Sequence, residues 1–178
     1  MMPTRPPILC TGCPHRSAFY AVKKAVGDKD AVYSMDIGCY TLGVEPPMQT
    51  ADYLLCMGSS IGAAGGFSKA TDQKVIAFIG DSTFFHAGIP GLINAVFNGH
   101  KFLLVILDNR TTAMTGHQPN PGTGRDYGAL KTGGLAIEPL VKACGVSYVK
   151  TVNPYEIRKL MKVMKEAVNY DGLAVVIT

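Results

Sequence analysis

Two short blocks of this chain are apolar without a break: Val75-Ile76-Ala77-Phe78-Ile79 and Phe102-Leu103-Leu104-Val105-Ile106-Leu107. A strand with one face in water alternates apolar and polar residues, whereas a strand covered on both faces reads as one continuous run. Both runs are also short for buried helices. They therefore predict central strands of a mainly parallel sheet with helices on both faces. The same reading places strands at residues 31–34, 53–57, 74–79, 102–107, 146–151 and 174–177. Helical spacing of apolar residues falls at 16–26, 61–70, 87–97, 137–144 and 154–168. Helix and strand alternate along the chain, which gives a doubly wound α/β domain. A length of 178 residues suits a single such domain with a substantial core.

The residues directly behind each apolar block bear on chemistry. Gly80-Asp81-Ser82 comes after the first, and Asp108-Asn109 after the second. Neighbouring parallel strands end at the same edge of a sheet, and ligands of open α/β sheets bind there. A Mg2+ ion takes near-octahedral oxygen ligands, one or two from the protein and the rest from phosphates and water. Asp81 offers a carboxylate, Asn109 an amide oxygen and Thr111 a backbone carbonyl, so these three are the candidate metal ligands. Ser82 and Thr83 lie near the start of a helix, whose N–H groups would face a diphosphate. Taken singly, Asp81 reads as a helix cap and Asn109 as a turn residue. Their pairing behind two buried strands is what points to a cation and a diphosphate.

Residues 109–134 carry no apolar periodicity and are rich in Gly, Thr and Pro. Loops of that length in compact domains are usually functional or disordered; this one starts at a central strand end, so it is expected to cover a cofactor, with a mobile surface excursion the alternative for its second half. Gly58-Ser59-Ser60-Ile61-Gly62-Ala63-Ala64-Gly65-Gly66 comes after a strand and opens a helix of small residues, which permits close approach of backbone to a ligand. It contains no G-x-G-x-x-G, and the chain has no G-x-x-x-x-G-K-[ST], so dinucleotide and nucleotide readings lose their main support. In the last helix Asn153 reads as the cap, Pro154 as the first helical residue and Glu156 as part of a capping box. Ile157, Leu160, Met161, Met164 and Val168 form its apolar stripe, with Arg158, Lys162 and Lys165 on a solvated face.

The net charge of +4 is mild and scattered, which is not a nucleic-acid footprint. No apolar run approaches the roughly 18 residues of a membrane span, and Met-Met-Pro-Thr-Arg-Pro-Pro lacks the core of a signal peptide. Five cysteines, at 10, 13, 39, 56 and 144, are an odd and dispersed set. They predict a reducing, cytoplasmic setting and no disulfide framework. Cys10 and Cys13 form C-x-x-C. Zinc would need a second pair. An iron–sulfur run would need a third Cys where Arg16 stands. Haem attachment would need His where Pro14 stands. A dithiol redox pair stays open beside a tight turn that lines the site. Cys56 and Cys144 sit in apolar patterns and read as small core residues.

Several segments, in order and over nearly the whole chain, carry a family resemblance. They are Cys10-Thr11-Gly12-Cys13-Pro14-His15-Arg16, Asp36-Ile37-Gly38-Cys39-Tyr40-Thr41-Leu42-Gly43, Met57-Gly58-Ser59-Ser60-Ile61-Gly62, Gly80-Asp81-Ser82-Thr83-Phe84, Asp108-Asn109 and Thr112-Ala113-Met114-Thr115-Gly116. The chain resembles the diphosphate-binding domain of thiamine-dependent enzymes, most closely that of the indolepyruvate ferredoxin oxidoreductase alpha subunit. Ser82 stands where the general thiamine motif has Gly, a departure this subfamily shares.

The resemblance implies the thiamine diphosphate-binding fold, with Asp81 and Asn109 on Mg2+. It implies that Gly80, Ser82, Thr83, Ala113 and Met114 line the cofactor, with Gly58 and Ser59 near its aminopyrimidine. Ile61 matches the apolar residue that wedges beneath the bent cofactor. Gly38, Cys39 and Tyr40 would lie near the thiazolium and substrate, and His15 would act as a catalytic hydrogen-bonding group. The implied reaction is oxidative decarboxylation of an arylpyruvate to an acyl-CoA, with iron–sulfur clusters and coenzyme A on or with partner domains. The family draws an essential Glu from a separate pyrimidine-binding domain. The chain is therefore expected to be a fragment or one subunit of a homo- or hetero-oligomer that also includes a ferredoxin component. A non-oxidative decarboxylase of the sulfopyruvate or phosphonopyruvate type is the alternative, though Cys-Pro-His-Arg and Ile-Gly-Cys-Tyr weigh against it. A cofactor-binding domain without turnover is another.

Overall fold

The computed structural model describes residues 3, 6–27, 30–128 and 130–178. Positions 1, 2, 4 and 5 of the segment read for a signal peptide, and position 129 of the long loop, lie outside them. Six strands form one sheet: β1 (Ala31–Met35), β2 (Tyr53–Leu54), β3 (Lys74–Gly80), β4 (Leu103–Leu107), β5 (Tyr148–Thr151) and β6 (Ala174–Ile177). All neighbours are parallel, in the order β2-β1-β3-β4-β6-β5. The expected doubly wound α/β architecture is thus the observed one.

The period of two along each strand explains the two-sided core. Ile76, Phe78, Leu103, Val105, Leu107 and Val176 face helices α1 (Pro14–Val26) and α6 (Ile157–Val168). Val75, Ala77, Ile79, Leu104, Ile106 and Val175 face α2 (Ser59–Ala70), α4 (Ile89–Phe97) and α5 (Ile137–Ala143). Removing a buried ring such as Phe78 from a core of this kind costs about 3–5 kcal/mol, so this apolar alternation holds the register against slippage. No helix among the described residues is long and apolar enough to cross a membrane.

Several expected boundaries move, each for a local reason. The second strand stops at Leu54 instead of running to 57, because it lies at the sheet edge and the chain turns away through Gly58 (φ +88°). Leu55, Cys56 and Met57 are consequently exposed, and Cys56 is not a core residue. Cys144 is half-buried and does pack against the core. The helix expected at 87–97 begins earlier. A short helix α3 (Asp81–Thr83) runs through a wide π-type turn at Phe84–Gly88 into α4. The last helix begins later than expected. The Asn153 side chain accepts the Tyr155 N–H at 3.0 Å and so shapes the turn that holds Pro154, leaving Glu156 to flank α6. Leu160, Met164, Ala167 and Val168 are the fully buried part of its stripe.

Candidate cofactor site

The strand order reverses direction beside β1. The chain leaves β1 toward β2 on one side and leaves β3 toward β4 on the other, which opens a crevice at their carboxyl ends. A cavity of about 110 Å3 lies there. The segment after β1 lines it with Ile37, Gly38, Cys39 and Tyr40. The turn after β3 contributes Gly80, Asp81, Ser82 and Thr83. The loop after β4 brings Asn109, Thr111, Thr112, Ala113, Met114 and Thr115, and His15 and Met57 complete the wall.

The polar end is set by register. Gly80 pairs with Leu107 across β3 and β4, so Asp81 and the Asp108-Asn109 pair emerge one step beyond adjacent strand ends. Asp81 is buried, and its Oδ2 accepts the Asn120 amide N–H at 2.9 Å. Burial pushes the Asp81 pKa up to about 6, against the pull of the Asn120 amide and the Ser82 N–H, and the nearby Asp108 carboxylate adds to the rise. The Asp108 side chain is itself tied to Arg110, whose Nε donates to its Oδ2 at 3.0 Å. Asn109 Oδ1 accepts the Thr111 N–H at 3.2 Å, which curls the loop so that Thr111 also faces the cavity. The Thr112 hydroxyl donates to Ser82 Oγ at 2.9 Å and joins the β3 turn to the β4 loop. A hard cation suits this set: one carboxylate, one amide oxygen and a loop carbonyl, with a second carboxylate close by to add negative potential.

The opposite wall is apolar and aromatic. Tyr40 is buried, its hydroxyl donates to the Ile37 carbonyl at 2.9 Å, and burial holds its pKa well above the usual phenol value. A Cβ on Gly80 would meet the Tyr40 ring at 2.5 Å, so glycine at that position is what lets the ring slide beneath the turn after β3. His15 on α1 is 3% exposed, stands edge-on to Tyr40 with ring centroids 6.2 Å apart, and has its pKa pushed down to about 4 by burial. It is therefore neutral at pH 7 and can offer one N–H and one ring nitrogen to whatever enters.

Not every expected site residue lies on the cavity. Gly58 and Ser59 sit just behind Met57, with Ser59 Oγ donating to the Cys56 carbonyl at 2.7 Å. Ile61 is fully buried in the core on the α2–α4 side and does not reach the cavity surface. Cys13 N–H donates to the Cys10 carbonyl at 3.1 Å, so the tight turn forms, but neither thiol lines the cavity; Cys39 does. Among the described residues no group of three His, Cys, Asp or Glu is arranged to hold a metal. Asn120 and Asp108 are not among the expected site residues. Asn120 lies 39 positions beyond Asp81, inside a loop without periodicity, and only the Gly-Pro-Asn character of that loop hints that it bends back.

The family described as "Thiamine pyrophosphate enzyme, C-terminal TPP binding domain" matches residues 36–178. The chain belongs to this family. It is 54% identical over 182 residues to the indolepyruvate oxidoreductase subunit IorA of Methanothermobacter marburgensis, covering 99% of this chain and 29% of the relative. It is 53% identical to the IorA subunit of Archaeoglobus fulgidus, covering 98% and 28%. The chain thus spans under a third of the length of these curated relatives. Among solved structures it superposes on a 2-oxoglutarate:ferredoxin oxidoreductase from Magnetococcus marinus with a TM-score of 0.82 at 20% identity, covering 98% of this chain and 64% of that one. That structure was solved with 2-oxoglutarate, coenzyme A and succinyl-CoA bound. At such identity the likeness speaks to the fold.

Proposed function

We propose that this chain binds thiamine diphosphate through Mg2+ and forms the diphosphate-side domain of an oxidoreductase that decarboxylates aryl-substituted 2-oxo acids such as indolepyruvate to acyl-CoA. The carrying observation is the convergence of Asp81, Asn109 and Thr111 at one end of a cavity whose other wall is apolar. Asp81 and Asn109 would supply side-chain oxygens to the metal and Thr111 a carbonyl. Ser82 and Thr83 would present N–H and hydroxyl groups to the diphosphate. Tyr40, Met57, Ala113 and Met114 would pack against the organic rings and keep water away from them. His15, neutral in its apolar setting, would hold a proton at one ring nitrogen and hydrogen-bond the substrate or cofactor. When bound, the thiamine ring system provides the electron sink that 2-oxo acid decarboxylation requires. The 54% identity to subunits named for indolepyruvate favours the aryl class of substrate.

The domain acts with partners in this reading. None of Glu45, Glu138, Glu156 and Glu166 lines the cavity. At about 110 Å3 the cavity is also smaller than the roughly 300–1,000 Å3 of complete ligand sites. A pyrimidine-binding domain or subunit would close it and supply the missing acid, and an iron–sulfur component would take the electrons. Five free thiols suit a reducing cytoplasm.

Calorimetric titration of thiamine diphosphate, with and without Mg2+, tests the core of the proposal. Binding is expected only with the metal and is expected to disappear in Asp81→Ala. Metal-independent binding would undo the assignment.

A further inference from the structure

Apart from Asp81, Asp36 is the one carboxylate buried among the described residues, and its exposure is 0%. Its Oδ1 accepts the N–H of Ile37 at 2.9 Å and of Gly58 at 2.8 Å. Its Oδ2 accepts the N–H of Gly58 at 3.0 Å and of Ser60 at 3.1 Å. Its carbonyl accepts the Thr41 hydroxyl at 3.0 Å, and Thr41 Oγ1 in turn accepts the Gly38 N–H at 3.0 Å. No Lys or Arg pairs with Asp36 among the described residues. Its charge is met by main-chain N–H groups at the start of the 12-residue α2, whose own N-cap is the side-chain-less Gly58.

These bonds tie together two segments that lie outside the sheet ladder. One is Ile37–Tyr40, the other the turn that carries Met57 into Gly58, and together they make much of the apolar wall of the cavity. The polar end is held mainly by the register of β3 with β4 and by Asn120, and it meets this wall only where the Tyr40 ring passes under Gly80. Gly58 reinforces the arrangement, because a Cβ there would meet Ala87 Cβ at 2.6 Å, leaving the turn no room to swing inward.

From this geometry we infer that Asp36 is a positioning residue. It sets the gap between the Ile37–Tyr40 and Met57–Gly58 segments, and so governs how tightly the organic part of a diphosphate ligand is gripped, while leaving the diphosphate end untouched. The inference rests on the cofactor reading proposed above. Asp36→Asn keeps the size of the side chain but turns an NH2 group toward N–H donors, so one set of these bonds is replaced by repulsion.

The test is calorimetry on the full chain with two probes, each with Mg2+: thiamine diphosphate and inorganic pyrophosphate. Asp36→Asn is expected to weaken thiamine diphosphate about tenfold while pyrophosphate stays within about twofold. Asp36→Ser, which keeps one small acceptor, gives the same test should the Asn variant fold poorly. Equal losses for both probes, alongside a lowered melting temperature, would mean a general structural role and overturn the inference. No loss for either probe would overturn it as well. Pyrophosphate binding that persists in Asp81→Ala would instead overturn the cofactor reading beneath it, so the two failures are distinguishable.

Discussion

The two walls of the cavity are built in different ways. The polar wall grows directly out of the sheet: Asp81 and Asn109 take their places because β3 and β4 are paired in a register that apolar residues on both faces enforce. The apolar wall grows out of loops. Ile37–Tyr40 and Met57 belong to no ladder there, and hydrogen bonds to Asp36, the Tyr40 ring and the packing of α1 hold them in place. A wall set by register resists change except at its ligands. A wall set by side-chain bonds shifts when one supporting residue is altered.

Asn120 is the test of how far the polar wall depends on register alone. It is not a candidate ligand, but its amide orients Asp81 from the far side of the long loop. Asn120→Ala is expected to weaken metal-dependent thiamine diphosphate binding about 10–100-fold, the range for residues that orient a metal ligand, with the fold preserved by circular dichroism. An unchanged affinity would mean that strand register suffices.

On the apolar wall, burial of His15 has a consequence for stability. Its folded pKa of about 4 lies below the ordinary value of 6.5, so the unfolded chain binds the extra proton first as pH falls. Its contribution is intact above about pH 6.5 and is lost as pH drops toward 4, by roughly 3 kcal/mol at most. Denaturant unfolding between about pH 7 and 4 should therefore show a shallower acid decline for His15→Gln than for the parent chain. Equal slopes would place His15 in water.

The smallest effect is expected where a motif sits just outside both walls. Replacing Cys10 and Cys13 by Ser should leave cofactor affinity within about 0.5 kcal/mol, because the turn is held by main-chain bonds and by the Tyr155 hydroxyl on the Gly12 carbonyl. A larger loss in calorimetry would extend the apolar wall to the thiols and revive the dithiol reading.

The two walls also differ in how legible they are from sequence. Asp81 and Asn109 can be placed at adjacent strand ends because each comes shortly after an unbroken apolar run, and such runs have one good structural solution. Ile61 cannot be placed, since a bulky apolar residue in a helix of small ones reads the same whether it faces a ligand or, as observed, the core. Met57 reads as part of a strand; it joins the cavity wall because an edge strand, paired on one side only, ends at Leu54. Asn153 and Glu156 carry a capping pattern, yet a side-chain bond to the Tyr155 N–H competes successfully for the cap and delays the helix.

Hydrophobic periodicity, a local property, was enough to establish the alternating helices and strands, the parallel sheet and the edge at which the candidate site residues gather. Contacts between residues far apart in the chain decided the rest. Asn120 reaching Asp81, Asp36 bonding to a helix start 22 positions on and Tyr40 filling the space spared by Gly80 all depend on where loops land once the sheet has formed. Such loops carry no period, and their conformation is set by a few hydrogen bonds of about 1 kcal/mol each, which no local pattern encodes.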